Sequence, residues 1–322
     1  MAFDLQAAPS VRQQTLRNPI SCTGIGLHSG VRVAMTLRPA EAGSGIVFRR
    51  LDRPAPVAEV TAEWNGVSDT TLGTTTSNDS GTSIATVEHL MAAFYGCGVD
   101  NAIVELDGGE VPIMDGSAAP FVFLIECAGL VEQLPERHSI RVLKTVEIDD
   151  GDRYACLSPY DGFMLDVEID FDNTLISRQS WRIDIALGTF KDQLCRARTF
   201  GFLDDVEALR ARGLARGGSL ENAIVVSNEG VLNQDGLRYG DEFVRHKALD
   251  AVGDLYLAGA PLLGRYHSRC GGHSLNNKLL TALFADAEAW CRTTTDGALA
   301  ATVEAPSEAA NAWPPAAAAA IA

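Results

Sequence analysis

Residues 241–259 read DEFVRHKALDAVGDLYLAG, and the spacing within this stretch decides the reading of the chain. Val244, Ala248, Val252 and Leu255 recur at helical intervals, as on the buried face of an amphipathic helix from about Asp241 to Ala258. On another side His246, Asp250 and Asp254 follow at i, i+4 and i+8, so they form a single stripe. Two readings of the stripe stand side by side: a solvated polar face, or two ligands of a metal ion followed by a third polar group. Glu88 and His89, near the start of another expected helix, and the turn Gly271-Gly272-His273 favour the second. A hydrolytic zinc site needs three protein N or O ligands, an open position for water and a nearby base. His89, His246 and Asp250 with Glu88 would supply that set. No H-E-x-x-H pattern occurs, so these ligands meet only if the fold brings distant segments together.

Upstream, the helix carrying Glu88 and His89 is expected from about Thr86 to Tyr95, stopped by Gly96 and Gly98 and followed by a strand at NAIVEL, residues 101–106. A second helix starts at Ser117 as its N-cap and runs to about Leu130. EQLPERHS, residues 132–139, reads as a linker. Nearer the start, after a polar lead-in, comes turn-rich TGIGLHSG, residues 23–30. Val31, Val33, Met35 and Leu37 then alternate up to Pro39, the period of a half-buried strand. GIVFRR, residues 45–50, is the next strand, and the Ser/Thr/Asn/Gly-rich stretch from Asn65 to Ser83 reads as a long loop or small insertion.

The second half repeats this order faintly. GDRYACLSPYDGFMLDVEIDF, residues 151–171, mirrors GVRVAMTLRPAEAGSGIVFRR, residues 30–50, with Pro159 echoing Pro39. Taken alone, that likeness leaves internal duplication open. A helix is expected over FKDQLCRARTFGF, residues 190–202, then a Gly-rich excursion from about Val206 to Leu237 containing the strand NAIVVS. Beyond the decisive helix come a strand at PLLGRYH and a last helix from Ser274. From about Thr293 the chain is Ala/Thr/Glu-rich and ends in PPAAAAAIA. It lacks the large apolar side chains that would offset the entropy of ordering, so a frayed tail is expected.

The 322 residues suit two domains or one large one, at about 150 residues per domain. With 26 basic and 42 acidic residues the net charge is −16. Such a body repels phosphate backbones and anionic membranes, which argues against nucleic-acid and lipid-surface partners. A small anionic ligand is still allowed, because one or two local cations suffice to hold it. The seven cysteines are odd in number, scattered and never spaced C-x-x-C, as expected of free thiols in a reducing compartment. The start, MAFDLQAAPSVRQQTLRN, carries no apolar core of a signal peptide, and no run approaches the roughly 20 apolar residues of a membrane span. A cytoplasmic location is expected. G-x-G-x-x-G and G-x-x-x-x-G-K-[ST] are both absent, which removes the Rossmann and P-loop fingerprints. His28 reads as a structural turn residue, and His138 and His267 as positions without a role. Cys270 has no dedicated partner for nucleophilic chemistry except His273, which a metal hydrolase uses better.

TVEHL (86–90), VPIMDGSAAPF (111–121), ARTFGF (197–202), FVRHKALDAVGDL (243–255) and GGHSLNNKL (271–279) occur in that order. With them the chain resembles the UDP-3-O-acyl-N-acetylglucosamine deacetylase family, zinc enzymes of the first committed step of lipid A synthesis in Gram-negative bacteria. The resemblance runs from about Thr15 to Trp290. It implies an α+β fold of two similar two-layer α/β-sandwich domains, packed with the active site between their helix layers. The first domain would span 13–133 with a small insert near 65–83, the second 134–300 with an insert near 206–237, and 301–322 would be a flexible tail. The second insert would form an apolar passage for the substrate's acyl chain, with Val206, Ala215, Gly218 and Ser219 at its wall.

The resemblance also implies roles. His89, His246 and Asp250 match the ligands of one zinc ion per chain, and Glu88 matches the general base. The Thr199 hydroxyl would stabilise the oxyanion. His273 would be the cation that protonates the leaving amine, with Asp254 orienting it and raising its pKa. Lys247 matches a contact to the nucleotide sugar and Phe200 a substrate-packing aromatic. Two departures stand out. Cys270 replaces a lysine found in many members three residues before the active-site histidine, so Arg269 is put forward for the pyrophosphate instead. Gly73 replaces a cysteine that in some members acts as an additional inhibitory metal ligand, which predicts weaker inhibition by excess zinc.

The expected reaction is zinc-dependent hydrolysis of the N-acetyl group of UDP-3-O-((R)-3-hydroxyacyl)-N-acetylglucosamine by a cytoplasmic monomer with no nucleic-acid partner. Two alternatives are a zinc amidase acting on another N-acyl amino sugar and a non-catalytic lipid-precursor binding protein. Binding alone needs no general base, which weighs against the last.

Overall fold

The structure, a computed structural model, describes residues 11–55, 57–171, 176–185 and 187–294. The tail expected at 301–322 lies outside the described residues. Apolar alternation builds the first sheet as its period requires: Val33, Met35 and Leu37 are buried along the strand Arg32–Pro39, while Val31, just ahead of it, is exposed. That sheet has five strands in the order 20–25, 32–39, 102–106, 46–50, 59–61. Strands 46–50 and 102–106 run parallel and every other neighbouring pair is antiparallel.

The same order and sense recur in the second half. There 146–150, 153–158, 262–269, 163–170 and 178–184 neighbour one another, with only the pair 163–170 and 262–269 parallel. Strand 138–142 extends this sheet beside the start of 262–269, and 290–294 pairs with 138–142 in turn. The molecule is therefore α+β, and the faint sequence repeat coincides with a repeated sheet topology.

Among the described residues six α-helices complete the layers: α1 (Glu88–Cys97), α2 (Ala119–Ala128), α3 (Leu187–Gln193), α4 (Leu203–Ala211), α5 (Glu242–Tyr256) and α6 (His273–Ala285). α1 precedes the strand 102–106 as α5 precedes 262–269, so they are counterparts in the two halves, and they pack directly against each other. Every residue of α1 is buried, as expected of a helix enclosed on all sides. The contact is close because Gly253 has no side chain: a Cβ there would lie 1.9 Å from the Glu88 carbonyl oxygen. This approach sets the start of α1 beside the C-terminal part of α5.

Several local expectations need correction. α1 runs through Gly96, against which the Phe190 ring packs, and ends only at Gly98, whose φ of 73° forms the left-handed cap. Ser117 does not cap α2. The N-cap is Ala118, and the Ser117 hydroxyl instead links Asp115 Oδ1 with the amide of Ala119. The expected linker is largely a strand, 130–136, paired antiparallel with 12–16 of the polar lead-in. Strand 130–136 exposes most of its side chains, and 12–16 buries only Thr15 and Leu16 at its end, so neither shows an alternating apolar period.

α3 stops at Gln193 rather than continuing to Phe202. Arg198 is held by Glu242, the Thr199 amide donates to the Gly116 carbonyl, and 200–202 pairs in parallel with 224–226. The stretch 65–83 is not a plain loop, for it contains the three-stranded sheet 67–69, 75–77, 83–84. The excursion after Phe202 carries α4, which its composition did not suggest. Thr293 and Thr294 belong to the strand 290–294 and not to the tail.

Candidate metal centre

α5 presents His246, Asp250 and Asp254 on one buried stripe, each at most 3% exposed. The solvated reading of that stripe is thereby removed. α1 contributes Glu88 and His89 in its first turn, also buried. The chain enters α1 through Thr86 at a φ of 59°, with its hydroxyl donating to Glu110 Oε1 at 3.2 Å and the Val87 amide donating to the Thr74 carbonyl at 3.1 Å. These contacts fix the direction in which Glu88 and His89 leave the backbone.

His89, His246 and Asp250 each offer one ligand atom, and the three atoms lie within 4.8 Å of one another. His89 Nε2 is 3.4 Å and His246 Nε2 3.2 Å from Asp250 Oδ1. The rings meet edge to face with centroids 4.9 Å apart. His246 Nδ1 lies 3.0 Å from the Ala197 carbonyl, which only accepts, so Nδ1 carries the proton and Nε2 turns a lone pair toward the carboxylate. Asp250 Oδ1 is buried and takes no hydrogen bond among the described residues. Lone pairs facing one another in a dry site call for a cation between them. The spacing suits one, since ligands about 2.0–2.1 Å from a tetrahedral ion lie about 3.3 Å from each other.

The electrostatics agree with such a donor set. Burial pushes His246 down to about 3, so the imidazole is neutral. Burial opposes the charge on Asp250, but the Lys247 ammonium beside it helps hold its carboxyl well below the usual carboxylate range. Lys247 Nζ reaches Asp250 Oδ2 at 3.0 Å and lies 5.7 Å over the Phe200 ring. Phe200 packs edge to face on Phe243 and on His246. Both ligand types therefore sit in the deprotonated state a metal requires.

A second group of residues adjoins the first. Asp254 Oδ2 lies 2.9 Å from His273 Nδ1 at the start of α6 and accepts from Asn276 Nδ2 at 2.8 Å. Burial alone would depress His273, but Asp254 outweighs it and raises the imidazole to about 9. Glu88 shifts the other way from a solvated acid: burial raises its pKa against the pull of His273 and His89.

The remaining predicted residues are spread more widely. Thr199 is half-buried, its backbone fixed between the Gly116 carbonyl and the Ile224 amide, two residues beyond the carbonyl that orients His246. Val206 is half-buried on α4, Ala215 has a φ of 50°, and the Gly218 amide donates to the Ala215 carbonyl at 3.2 Å. Ser219 is exposed, with its amide on Asn222 Oδ1. The 215–218 turn docks on TGIGLHSG of the first half: the Gly217 amide donates to Leu27 and the Ala215 amide to His28 Nδ1. Arg269 is exposed and reaches the Gly151 carbonyl at 3.4 Å. A separate cavity of about 300 Å³, lined by Trp64, Asn101, His138, Tyr256 and Trp290 among others, shares no residue with the metal cluster.

Two buried residues of this neighbourhood were not found by reading the sequence. Thr74 donates its hydroxyl to Asp254 Oδ1 at 2.6 Å and its amide to Glu88 Oε2 at 3.0 Å. Nothing distinguishes it from its neighbours in DTTLGTTT. Asn276 carried a usable signal, since it follows His273 at i+3 on a helix and so shares its face.

Comparison with known proteins agrees with the geometry. The profile of the LpxC family, UDP-3-O-acyl N-acetylglycosamine deacetylase, matches residues 13–285. A UDP-3-O-acyl-N-acetylglucosamine deacetylase of Stenotrophomonas maltophilia (strain K279a) is 56% identical over 283 residues, 87% of this chain and 92% of its own length. Proteins of the same name from Pseudomonas entomophila (strain L48) and Xanthomonas oryzae pv. oryzae (strain PXO99A) are each 53% identical over similar lengths, again 87% of this chain and 92% of their own.

Proposed function

The chain belongs to the UDP-3-O-acyl-N-acetylglucosamine deacetylase family, and on that premise we propose that His89, His246 and Asp250 hold one zinc ion in an amide hydrolase of lipid A biosynthesis. The observation that carries the metal is the unpartnered Asp250 Oδ1 facing two imidazole nitrogens. A zinc ion bound there supplies Lewis acidity, polarising the acetamide carbonyl and lowering the pKa of water.

The protein's own groups do the rest. Glu88 takes the proton of the attacking water, and its burial-raised pKa makes it a better base than a solvated carboxylate. The Thr199 hydroxyl, on a backbone fixed at both neighbours, stabilises negative charge on the former carbonyl oxygen. His273 is cationic at neutral pH and oriented by Asp254, so it donates a proton from Nε2 to the leaving amine. Acetate and the free amine are the products.

Lys247 holds Asp250 and offers its positive charge to the nucleotide sugar, with Phe200 beneath it as a packing surface. Val206, Ala215, Gly218 and Ser219 border the acyl chain. Arg269 serves the pyrophosphate, and an Arg269→Ala variant with unchanged substrate affinity would remove it from this role. The same reading places the domain boundary at 133/134 and treats the protein as a cytoplasmic monomer. All seven cysteines are free, which supports a reducing compartment. Among the described residues no helix is long and apolar enough to cross a membrane.

The test is acetate release from UDP-3-O-((R)-3-hydroxyacyl)-N-acetylglucosamine by the purified protein, before and after chelation and after stoichiometric zinc is restored. Activity that disappears and returns supports reaction, substrate and metal together. A folded, zinc-loaded protein that releases no acetate overturns the substrate assignment and directs the search to other N-acylated amino sugars.

A further inference from the structure

Thr74 belongs to the small three-stranded insert of the first half, yet it touches the groups assigned here as base, acid and orienter. Its peptide is held to the start of α1 from both sides: the carbonyl accepts from the Val87 amide at 3.1 Å, and the amide donates to Glu88 Oε2 at 3.0 Å. The hydroxyl, buried to 2% exposure, is thereby aimed across to α5 and α6. It donates to Asp254 Oδ1 at 2.6 Å and lies 3.3 Å from His273 Nδ1.

Proton counting defines what that hydroxyl does. A carboxylate only accepts, so the single hydroxyl hydrogen goes to Asp254. The oxygen then offers only lone pairs to His273. Nδ1 must therefore carry a proton, shared between Asp254 Oδ2 at 2.9 Å and Thr74 Oγ1. With Nδ1 committed, the acid–base chemistry of the imidazole is confined to Nε2. Asn276 Nδ2 donates to Oδ2, the oxygen that also faces His273, while Thr74 holds Oδ1, so the two fix the plane of Asp254 from both edges.

We propose that Thr74 is a positioning residue of this site, which locks the Asp254–His273 pair in one tautomer and orientation and, through its amide, ties that pair to Glu88. The proposal rests on the deacetylase reading above and deepens it. The charged groups acting on His273 are Glu88 from α1 and Asp250 and Asp254 from α5, and Thr74 is the neutral group that bridges two of them. Burial opposes the imidazolium, while Asp254 holds the pKa at about 9. Loss of the hydroxyl frees the carboxylate to rotate, removes the second acceptor of Nδ1–H and dries the surroundings of the ion pair. Each change disfavours the imidazolium.

The experiment uses the zinc-loaded full chain. Titration of His273 is followed by NMR of its imidazole, assigned by its disappearance in His273→Gln. In Thr74→Val the midpoint is expected to fall by about one pH unit, and Thr74→Ser is expected to restore it. Thr74→Ala, which adds no bulk, should move it the same way. In parallel, kcat should fall by about tenfold or more in Thr74→Val with KM little changed. In an Asp254→Ala background the same substitution should cost less than about twofold, because its partner is already gone. An unmoved His273 midpoint in both Thr74→Val and Thr74→Ala, or a full further loss in the Asp254→Ala background, overturns the proposal. Failure of the deacetylase reading would appear separately, as a wild-type protein that titrates normally but releases no acetate.

Discussion

Gly253 lies so close beneath the Glu88 carbonyl that a Cβ there would sit 1.9 Å from the oxygen. The contact is backbone to backbone, so no rotamer change can relieve it. It joins α5, which carries His246, Asp250 and Asp254, to the first turn of α1, which carries Glu88 and His89. Gly253→Ala is therefore expected to destabilise the protein by about 1–3 kcal/mol, the range for overpacking a dense interior. It should also weaken zinc retention, because the two ligand-bearing helices must separate. Thermal melting and metal content of the purified variant check this, and an unchanged zinc content would show that the approach of the helices does not set the ligand spacing.

Base and ligands should separate experimentally. Glu88→Ala is expected to keep its zinc and lose about 10²-fold or more in turnover. His89→Ala and His246→Ala should lose the metal as well, since each removes one of three donor atoms. Metal analysis beside acetate release distinguishes the two classes. Near-normal turnover in Glu88→Ala would remove Glu88 as the base.

His273 gives a pH dependence with a defined sign. Its pKa in the fold is about 9 against an ordinary 6.5, because Asp254 outweighs burial. The proton is bound more tightly in the folded state, so its stabilising contribution is complete below about pH 6.5 and is lost as the pH rises toward 9. The full contribution is about 3 kcal/mol, from 1.36 kcal/mol per unit. Denaturant unfolding of wild type and His273→Gln between pH 6 and 10 should converge at the alkaline end. The activity profile should share that basic limb, and the limb should vanish or distort in His273→Gln.

Gly73 predicts tolerance of excess zinc. A Cβ at this position would lie 2.9 Å from Glu88 Oε1, so a cysteine there would place a thiol beside the proposed base. Wild type is expected to lose little activity at a modest zinc excess, and Gly73→Cys to become more sensitive. A steep loss in the wild type over the same zinc range would refute this.

Legibility followed the range of the interactions. The strand 32–39 and α5 could be read because one sheet face and one helix stripe face the core, and burial writes itself into sequence with periods of 2 and 3.6. The ribbon of 12–16 and 130–136 has no such face, and its partners lie more than a hundred positions apart. α3 ends at Gln193 because Arg198 is claimed by Glu242, which is fully buried on a helix 44 positions away.

The sequence by itself determined which chemistry was available: two histidines and an aspartate as ligands, a carboxylate beside one of them, and an Asp254 stripe position waiting for a partner. Residue type and local spacing say what a side chain can donate, accept or bind, and the motifs shared with the deacetylase family say which of those uses to expect. Only the tertiary structure decided that His89 meets Asp250 at 3.4 Å and that Thr74, among several identical threonines, is the one that joins Asp254 and His273. Those choices depend on Gly253 letting α1 lie against α5 and on the small insert folding back over both. They are long-range contacts that no local period records.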